Sequence, residues 1–76
     1  MNISKYNTYT ATFYNDGEIV LTKEVSNAST VVEILANAPR RGEITNCVIA
    51  NKSRKYDTCN YIMWSDENGI RHYRAE

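Results

Sequence analysis

The most reactive side chains in this chain are two thiols and one imidazole, on Cys47, Cys59 and His72. A cysteine and a histidine can form a nucleophilic pair when they lie within hydrogen-bond reach and a third group orients the ring. No local sequence signature accompanies these residues, and no paired carboxylates stand in an apolar setting that would separate their pKa values. We therefore expect a protein that is not an enzyme and has no catalytic residues.

The same three residues limit metal binding and disulfide formation. Two cysteines and one histidine cannot complete a zinc site with four Cys or His ligands within one chain, so we expect neither a metal ion nor any other cofactor. If the loop between the third and fourth strands covers residues 51–55, Cys47 and Cys59 lie directly opposite each other. Such a pair could form a disulfide, but we expect reduced thiols, because disulfides are rare in the cytoplasm, where we expect this protein.

Aromatic and basic residues are interleaved in the C-terminal half of the chain. Tyrosine, tryptophan and arginine are enriched among the residues that contribute most to protein–protein binding. We therefore predict a partner-binding surface in this half and expect its partner to be a protein. The predicted partner-binding residues are Arg40, Arg41, Lys52, Arg54, Lys55, Tyr56, Tyr61, Arg71 and Tyr73.

The same composition supports an alternative, in which the chain binds single-stranded nucleic acid. Aromatic rings such as those of Tyr61 and Trp64 can stack on unpaired bases, while Arg54 and Lys55 contact phosphates. However, nine basic and nine acidic residues give a net charge of zero, whereas domains that bind nucleic acid are usually basic. The charge is unevenly divided, with −2 on residues 1–39 and +2 on residues 40–76.

The length of the chain favours a contact surface over an enclosed reaction chamber. Seventy-six residues predict one domain, residues 1–76, of a size that buries only about 60% of its unfolded surface. No apolar run approaches the roughly 20 residues that span a bilayer, and the N-terminus lacks the layout of a secretory signal, so we expect a cytoplasmic protein with no membrane contact. Small size and richness in Asn and Tyr further suggest a phage or mobile-element accessory protein that inhibits a host nucleic-acid-handling enzyme, of the anti-CRISPR or anti-restriction type.

Two turns that end in glycine, Tyr14–Gly17 and Asp66–Gly69, predict two antiparallel hairpins. In the first hairpin, strands over residues 6–14 and 18–25 alternate in hydrophobicity. A three-residue loop from Asn15 to Gly17 would pair Phe13 with Ile19 and so place the apolar residues on one face. We therefore predict that loop, with Gly17 in the left-handed region.

A short helix is predicted between the two hairpins, with a cap at Thr30 or, as the alternative, at Asn27. Thr30 and Glu33 have the spacing of a capping box, in which each side chain satisfies a backbone donor at the helix start. Apolar residues then recur at helical spacing until Pro39, which disfavours helical geometry at the residue before it. A helix of about three turns is too short to be stable alone, so we expect it to pack on the sheet.

The remaining strands are predicted over residues 43–50, 58–65 and 70–74. The fold is therefore α+β with the order ββαβββ: a mainly antiparallel, four- to five-stranded sheet with one short helix on one face. An exposed outer strand could also join two copies, so we expect a monomer or an edge-strand homodimer. The predicted core consists of Phe13, Ile19, Leu21, Val25, Val31, Ile34, Leu35, Val48, Ile62 or Met63, and Trp64.

Overall fold

The computed structural model of the chain describes residues 1, 3, 7–25, 29–40, 42–54 and 57–76. It confirms the predicted α+β fold: five strands form one antiparallel sheet in the order β2-β1-β3-β4-β5. The elements are β1 (Tyr9–Asn15), β2 (Glu18–Val25), α1 (Val31–Ala36), β3 (Asn46–Asn51), β4 (Thr58–Ser65) and β5 (Arg71–Ala75).

The turn between β1 and β2 differs from the predicted three-residue loop. Asn15 pairs with Glu18, so only Asp16 and Gly17 form the turn, and both have positive φ, of 49° and 87°. Two positive φ values favour Asp-Gly in a two-residue hairpin turn. The prediction of the loop was wrong because a β-bulge, and not a longer loop, supplies the extra residue that shifts the register.

The bulge determines which apolar residues of β2 face the helix. On one side of it Phe13 pairs with Leu21, and on the other Tyr14 pairs with Ile19. Because paired residues share a face, Leu21 lies on the helix side with Phe13, and Ile19 lies on the opposite side with Tyr14. Ile19 is 65% exposed and Leu21, on an edge strand, is 40% exposed.

Helix α1 begins at the predicted cap and is shorter than expected. The Thr30 hydroxyl accepts the N–H of Glu33 at 3.2 Å, as predicted, and the helix ends at Ala36 after six residues. Its buried residues, Ile34 and Leu35, belong to the same cluster as the helix-facing residues of the sheet. No helix within the described residues is long and apolar enough to cross a membrane.

The core lies between α1 and one face of the sheet. Of the predicted core, Phe13, Val25, Ile34, Leu35 and Met63 are buried, and Val31 is partly buried against them. The prediction was wrong for Ile19, Leu21 and Trp64, which are exposed, and Val48 and Ile62 are half-buried on the other face. Buried residues that the prediction omitted are Tyr9, Ala11, Ala38, Ile44, Cys47, Ile49, Asn51 and Tyr61.

The two cysteines are not directly opposite each other, so the pairing that a loop over residues 51–55 would give does not occur. Cys59 pairs with Ile49, and Cys47 pairs with Tyr61, because the loop between β3 and β4 is two residues longer than assumed. Both thiols are free. Burial raises the pKa of the Cys47 thiol to about 12, so this group behaves as a small apolar side chain.

Candidate binding groove

A groove of about 370 Å³ runs between α1 and β5 on the helix side of the sheet. Leu35 and Met63 are buried at its floor, whereas Val32 is 60% and Ile70 58% exposed on its two sides. Tyr73 also lines the groove and is 40% exposed. A contiguous exposed apolar patch of this kind is typical of a binding surface.

Arg71 connects the end of the helix to β5. Its guanidinium donates hydrogen bonds to the backbone carbonyls of Ala38, at 2.9 Å, and Pro39. Both carbonyls lie just beyond α1, which ends at Ala36, so the half-buried arginine ties the segment after the helix to β5 and satisfies backbone groups that need a partner. Arg71 therefore positions one side of the groove, and the adjacent exposed Arg40 lines its rim.

The turn between β4 and β5 holds Ile70 in place through the carboxylate of Asp66. One carboxylate oxygen accepts the backbone N–H groups of Asn68, at 2.9 Å, and Ile70, at 3.0 Å. The other lies 2.9 Å from Nε2 of His72. The hydrogen bond with His72, followed by that from Ile70, holds the pKa of the Asp66 carboxyl below its ordinary value.

Acid titration tests this arrangement. We expect the pKa of Asp66 to lie below its ordinary value of 3.8, because its partners favour the ionised form. A depressed pKa means that the contribution of Asp66 to stability is present above the unfolded-state pKa and is lost as pH falls through the lower folded-state pKa. Carboxyl NMR titration measures the value directly. The variant His72→Gln should raise it toward 3.8, and an unperturbed pKa in the natural protein would contradict the arrangement.

Tyr61 lies beneath the groove and not on its surface. It is buried, and its ring meets that of Tyr73 edge-to-face, with 6.2 Å between centroids and 79° between planes. Burial, followed by a hydrogen bond with Cys59, raises the pKa of Tyr61 to about 12. Tyr61 therefore supports the exposed ring of Tyr73 and does not itself present a contact surface.

Two further predicted binding residues, Lys52 and Arg54, lie at the opposite end of the sheet. Lys52 and Arg54 are in the loop that leads into β4, whereas the turn that borders the groove follows β4. Lys52 Nζ lies 2.6 Å from a carboxylate oxygen of Glu24, and both side chains are exposed. The structure thus brings together Arg40, Arg71 and Tyr73 and separates them from Lys52 and Arg54. Arg41, Lys55 and Tyr56 lie outside the described residues.

The sequence did not identify Val32 and Ile70 as groove residues. Val32 does not fit the spacing of the other apolar residues in the helix, so its side chain lies away from the core. An aliphatic residue in such a position is a signal of a binding surface that the sequence offered. Ile70 follows the glycine of a turn, where its side chain could have pointed to either face. Only the approach of α1 to β5 places the two in one groove.

The thiols and the imidazole lie on opposite faces of the sheet. Cys47 and Cys59 are on the helix side, whereas His72 pairs with Trp64 on the other side, with their rings stacked at 5.8 Å and 22°. The two groups therefore do not meet as a nucleophilic pair. Within the described ranges, no three His, Cys, Asp or Glu side chains come together in a way that could hold a metal ion.

The groove, with aliphatic walls and an arginine at its rim, is the feature of the described surface best suited to binding. Comparisons with family models, with curated proteins and with solved structures return no match to this chain.

Proposed function

We propose that this chain is a non-enzymatic binding module that holds a protein partner in the groove between α1 and β5. The observation that carries the proposal is the exposure of Val32, Ile70 and Tyr73 around one groove with a buried apolar floor. Apolar and aromatic anchors surrounded by polar residues, among which arginine is frequent, are typical of protein interfaces. A cytoplasmic location and an inhibitory role in a phage or mobile element stay predictions from the sequence.

A pair of aspartate substitutions tests the proposal. Ile70 in the groove and Ile19 on the opposite face have similar exposed fractions, 58% and 65%, so the two substitutions should perturb folding to a similar extent. We expect Ile70→Asp to abolish capture of the partner, because a charge in an apolar contact must be desolvated without compensation. Ile19→Asp should leave capture unchanged. Quantitative mass spectrometry of proteins retained by the natural chain and the two variants measures the difference.

Capture of a protein does not by itself support the proposal; what supports it is a protein that Ile70→Asp alone fails to capture. A protein retained by the natural chain and by Ile19→Asp, but lost with Ile70→Asp, supports binding in the groove. If every retained protein is equally captured by all three chains, the groove is not the binding site and the proposal fails. Circular dichroism confirms that both variants are folded.

A second candidate function, binding of single-stranded nucleic acid, is favoured by one observation on the face of the sheet that points away from α1, here called the open face. Trp64 stacks on His72 and is 42% exposed, and Arg74 shares that face. An exposed aromatic ring beside a cation can stack a base and contact its phosphate. Binding of a labelled oligothymidine that weakens steeply with salt, and is lost in Trp64→Ala but kept in Ile70→Asp, would favour this candidate over the groove.

A further inference from the structure

Strand β5 is an edge strand whose outer backbone groups border the groove. Glu76 donates its N–H to the carbonyl of Asn60, and Asp66 donates its N–H to the carbonyl of Ile70. Hydrogen-bonded pairs alternate along an antiparallel ladder, so residues 70, 72, 74 and 76 direct their backbone groups toward β4. The backbone groups of Arg71, Tyr73 and Ala75 therefore point away from the sheet, and no strand within the described residues pairs with them.

The side chains of these three residues lie on the helix side of the sheet, because they share faces with Ser65, Met63 and Tyr61. Side-by-side residues on neighbouring strands point to the same face whatever the strand direction. A residue of an added strand opposite Tyr73 would therefore place its side chain at the groove. The residues before and after it would point to the open face, where Arg74 lies.

Three arginines lie beside this edge without an ion-pair partner in the part of the chain that the structure describes, whereas the nearby carboxylates of Asp66 and Glu76 are already bonded to His72 and Asn60. Among the described residues, Arg40, Arg71 and Arg74 have no carboxylate within ion-pair distance. Arg40 and Arg74 are exposed, on the groove side and on the open face respectively. An acidic segment would be attracted to this edge, because opposite charges across an interface steer encounter and select partners.

We propose that the partner segment is an extended acidic peptide, with alternating apolar and acidic residues, that adds to β5 as a sixth strand. This inference rests on the proposed function and specifies how the partner binds. Its main-chain hydrogen bonds with β5 provide affinity, and its apolar side chains in the groove provide specificity.

The other edge of the sheet and a second copy of the chain fit less well. Strand β2 carries a β-bulge, and its Lys23 points to the helix side, with Nζ 5.7 Å from the centre of the Phe13 ring. Bulges and inward-pointing charges are devices that keep edge strands from pairing. If two copies of β5 paired antiparallel with their Tyr73 residues opposite each other, His72 of each copy would lie opposite Arg74 of the other. Neither Arg71 nor Arg74 would then lie opposite a carboxylate.

A proline at position 75 tests strand addition. Ala75→Pro removes an N–H that points outward, and proline is tolerated on an edge strand in that position, so the ladder with β4 should persist. We expect a synthetic peptide of alternating valine and glutamate to bind the natural chain and to bind Ala75→Pro about tenfold more weakly, as for the loss of one or two hydrogen bonds. Ala75→Ser is the matched control and should bind as the natural chain does.

Three measurements distinguish a failure of strand addition from a failure of binding in the groove. On binding, the amide protons of Tyr73 and Ala75 should become protected from hydrogen exchange, and those of β2 should not. A peptide of alternating valine and lysine should bind less tightly. Strand addition is overturned if the valine–glutamate peptide does not bind, or if it binds Ala75→Pro as it binds the natural chain while NMR shows an intact ladder. If Ile70→Asp still loses a captured partner in that case, the groove remains the binding site and only the strand mode is wrong.

Discussion

Replacing Phe13 with alanine is expected to lower the free energy of unfolding by about 3–5 kcal/mol. The ring is 0% exposed and lies on the helix side of β1, between Leu21 on β2 and Cys47 on β3. Removing the ring leaves a cavity in the apolar layer between the sheet and α1. A chain of this length has a total stability of roughly 4–11 kcal/mol, so the variant loses a large share of it.

Leu21→Ala is the control for this prediction. Leu21 is paired with Phe13, yet it is 40% exposed, so its truncation should cost less than about 1.5 kcal/mol. Urea unfolding followed by circular dichroism compares the two variants, and equal slopes with denaturant would show that only stability changed. Equal losses for the two residues would contradict the difference in burial between Phe13 and Leu21. If Phe13→Ala does not fold, Phe13→Leu should show a smaller loss in the same direction.

The parts of the fold that follow local chemistry could be predicted from the sequence. The glycine-ended turns, the alternation Tyr9, Ala11 and Phe13, and the cap at Thr30 each depend on residues close together in the chain. The structure places these three β1 residues on one buried face, although only Phe13 was in the predicted core, and it confirms the hydrogen bond at the cap. Local patterns of this kind define elements and their order, because a strand or a helix start is determined mainly by its own residues.

The errors arose where one residue shifts a register. A single bulge in β2 moves Ile19 to the open face. A shift of one residue exchanges the two faces of a strand, so alternation in the sequence cannot by itself determine which face is covered. Trp64 was misplaced for a related reason. Its size favours burial, but only one face of this sheet has a helix on it within the described residues.

The candidate groove could be predicted only in part. Arg40, Arg71 and Tyr73 were chosen for their residue types, and the structure places all three beside the groove. The sequence could not show that Arg71 hydrogen-bonds to carbonyls just beyond α1, because that contact spans more than 30 residues of chain. It also could not separate the groove from the basic loop between β3 and β4, which carries Lys52 and Arg54, since the distance between them depends on the strand order.

Replacing Asn51 with alanine is expected to lower the free energy of unfolding by about 1.5–3 kcal/mol, as for the loss of several hydrogen bonds at a buried site. The side chain is 2% exposed. Its oxygen accepts the N–H groups of Ser53, at 2.9 Å, and Arg54, at 3.1 Å. Its amide group donates to the carboxylate of Asp57, at 3.3 Å. The amide thus organises the loop that carries Lys52 and Arg54, and its loss should unfold this loop before the sheet.

Asn60→Ala is the matched control, because the side-chain amide of Asn60 also hydrogen-bonds through both its oxygen and its nitrogen, to Asn46 and Glu76. Asn60 lies on the open face, however, where water can replace those partners. Its truncation should cost less than about 1 kcal/mol. Hydrogen exchange of the Ser53 and Arg54 amides separates the two effects, since only Asn51→Ala should accelerate it. Unchanged exchange at these amides would mean that the backbone of the loop keeps its shape without the side chain. If instead exchange accelerates while binding of the valine–glutamate peptide to β5 is unaffected, the basic loop and the groove are energetically independent, as their positions at opposite ends of the sheet imply.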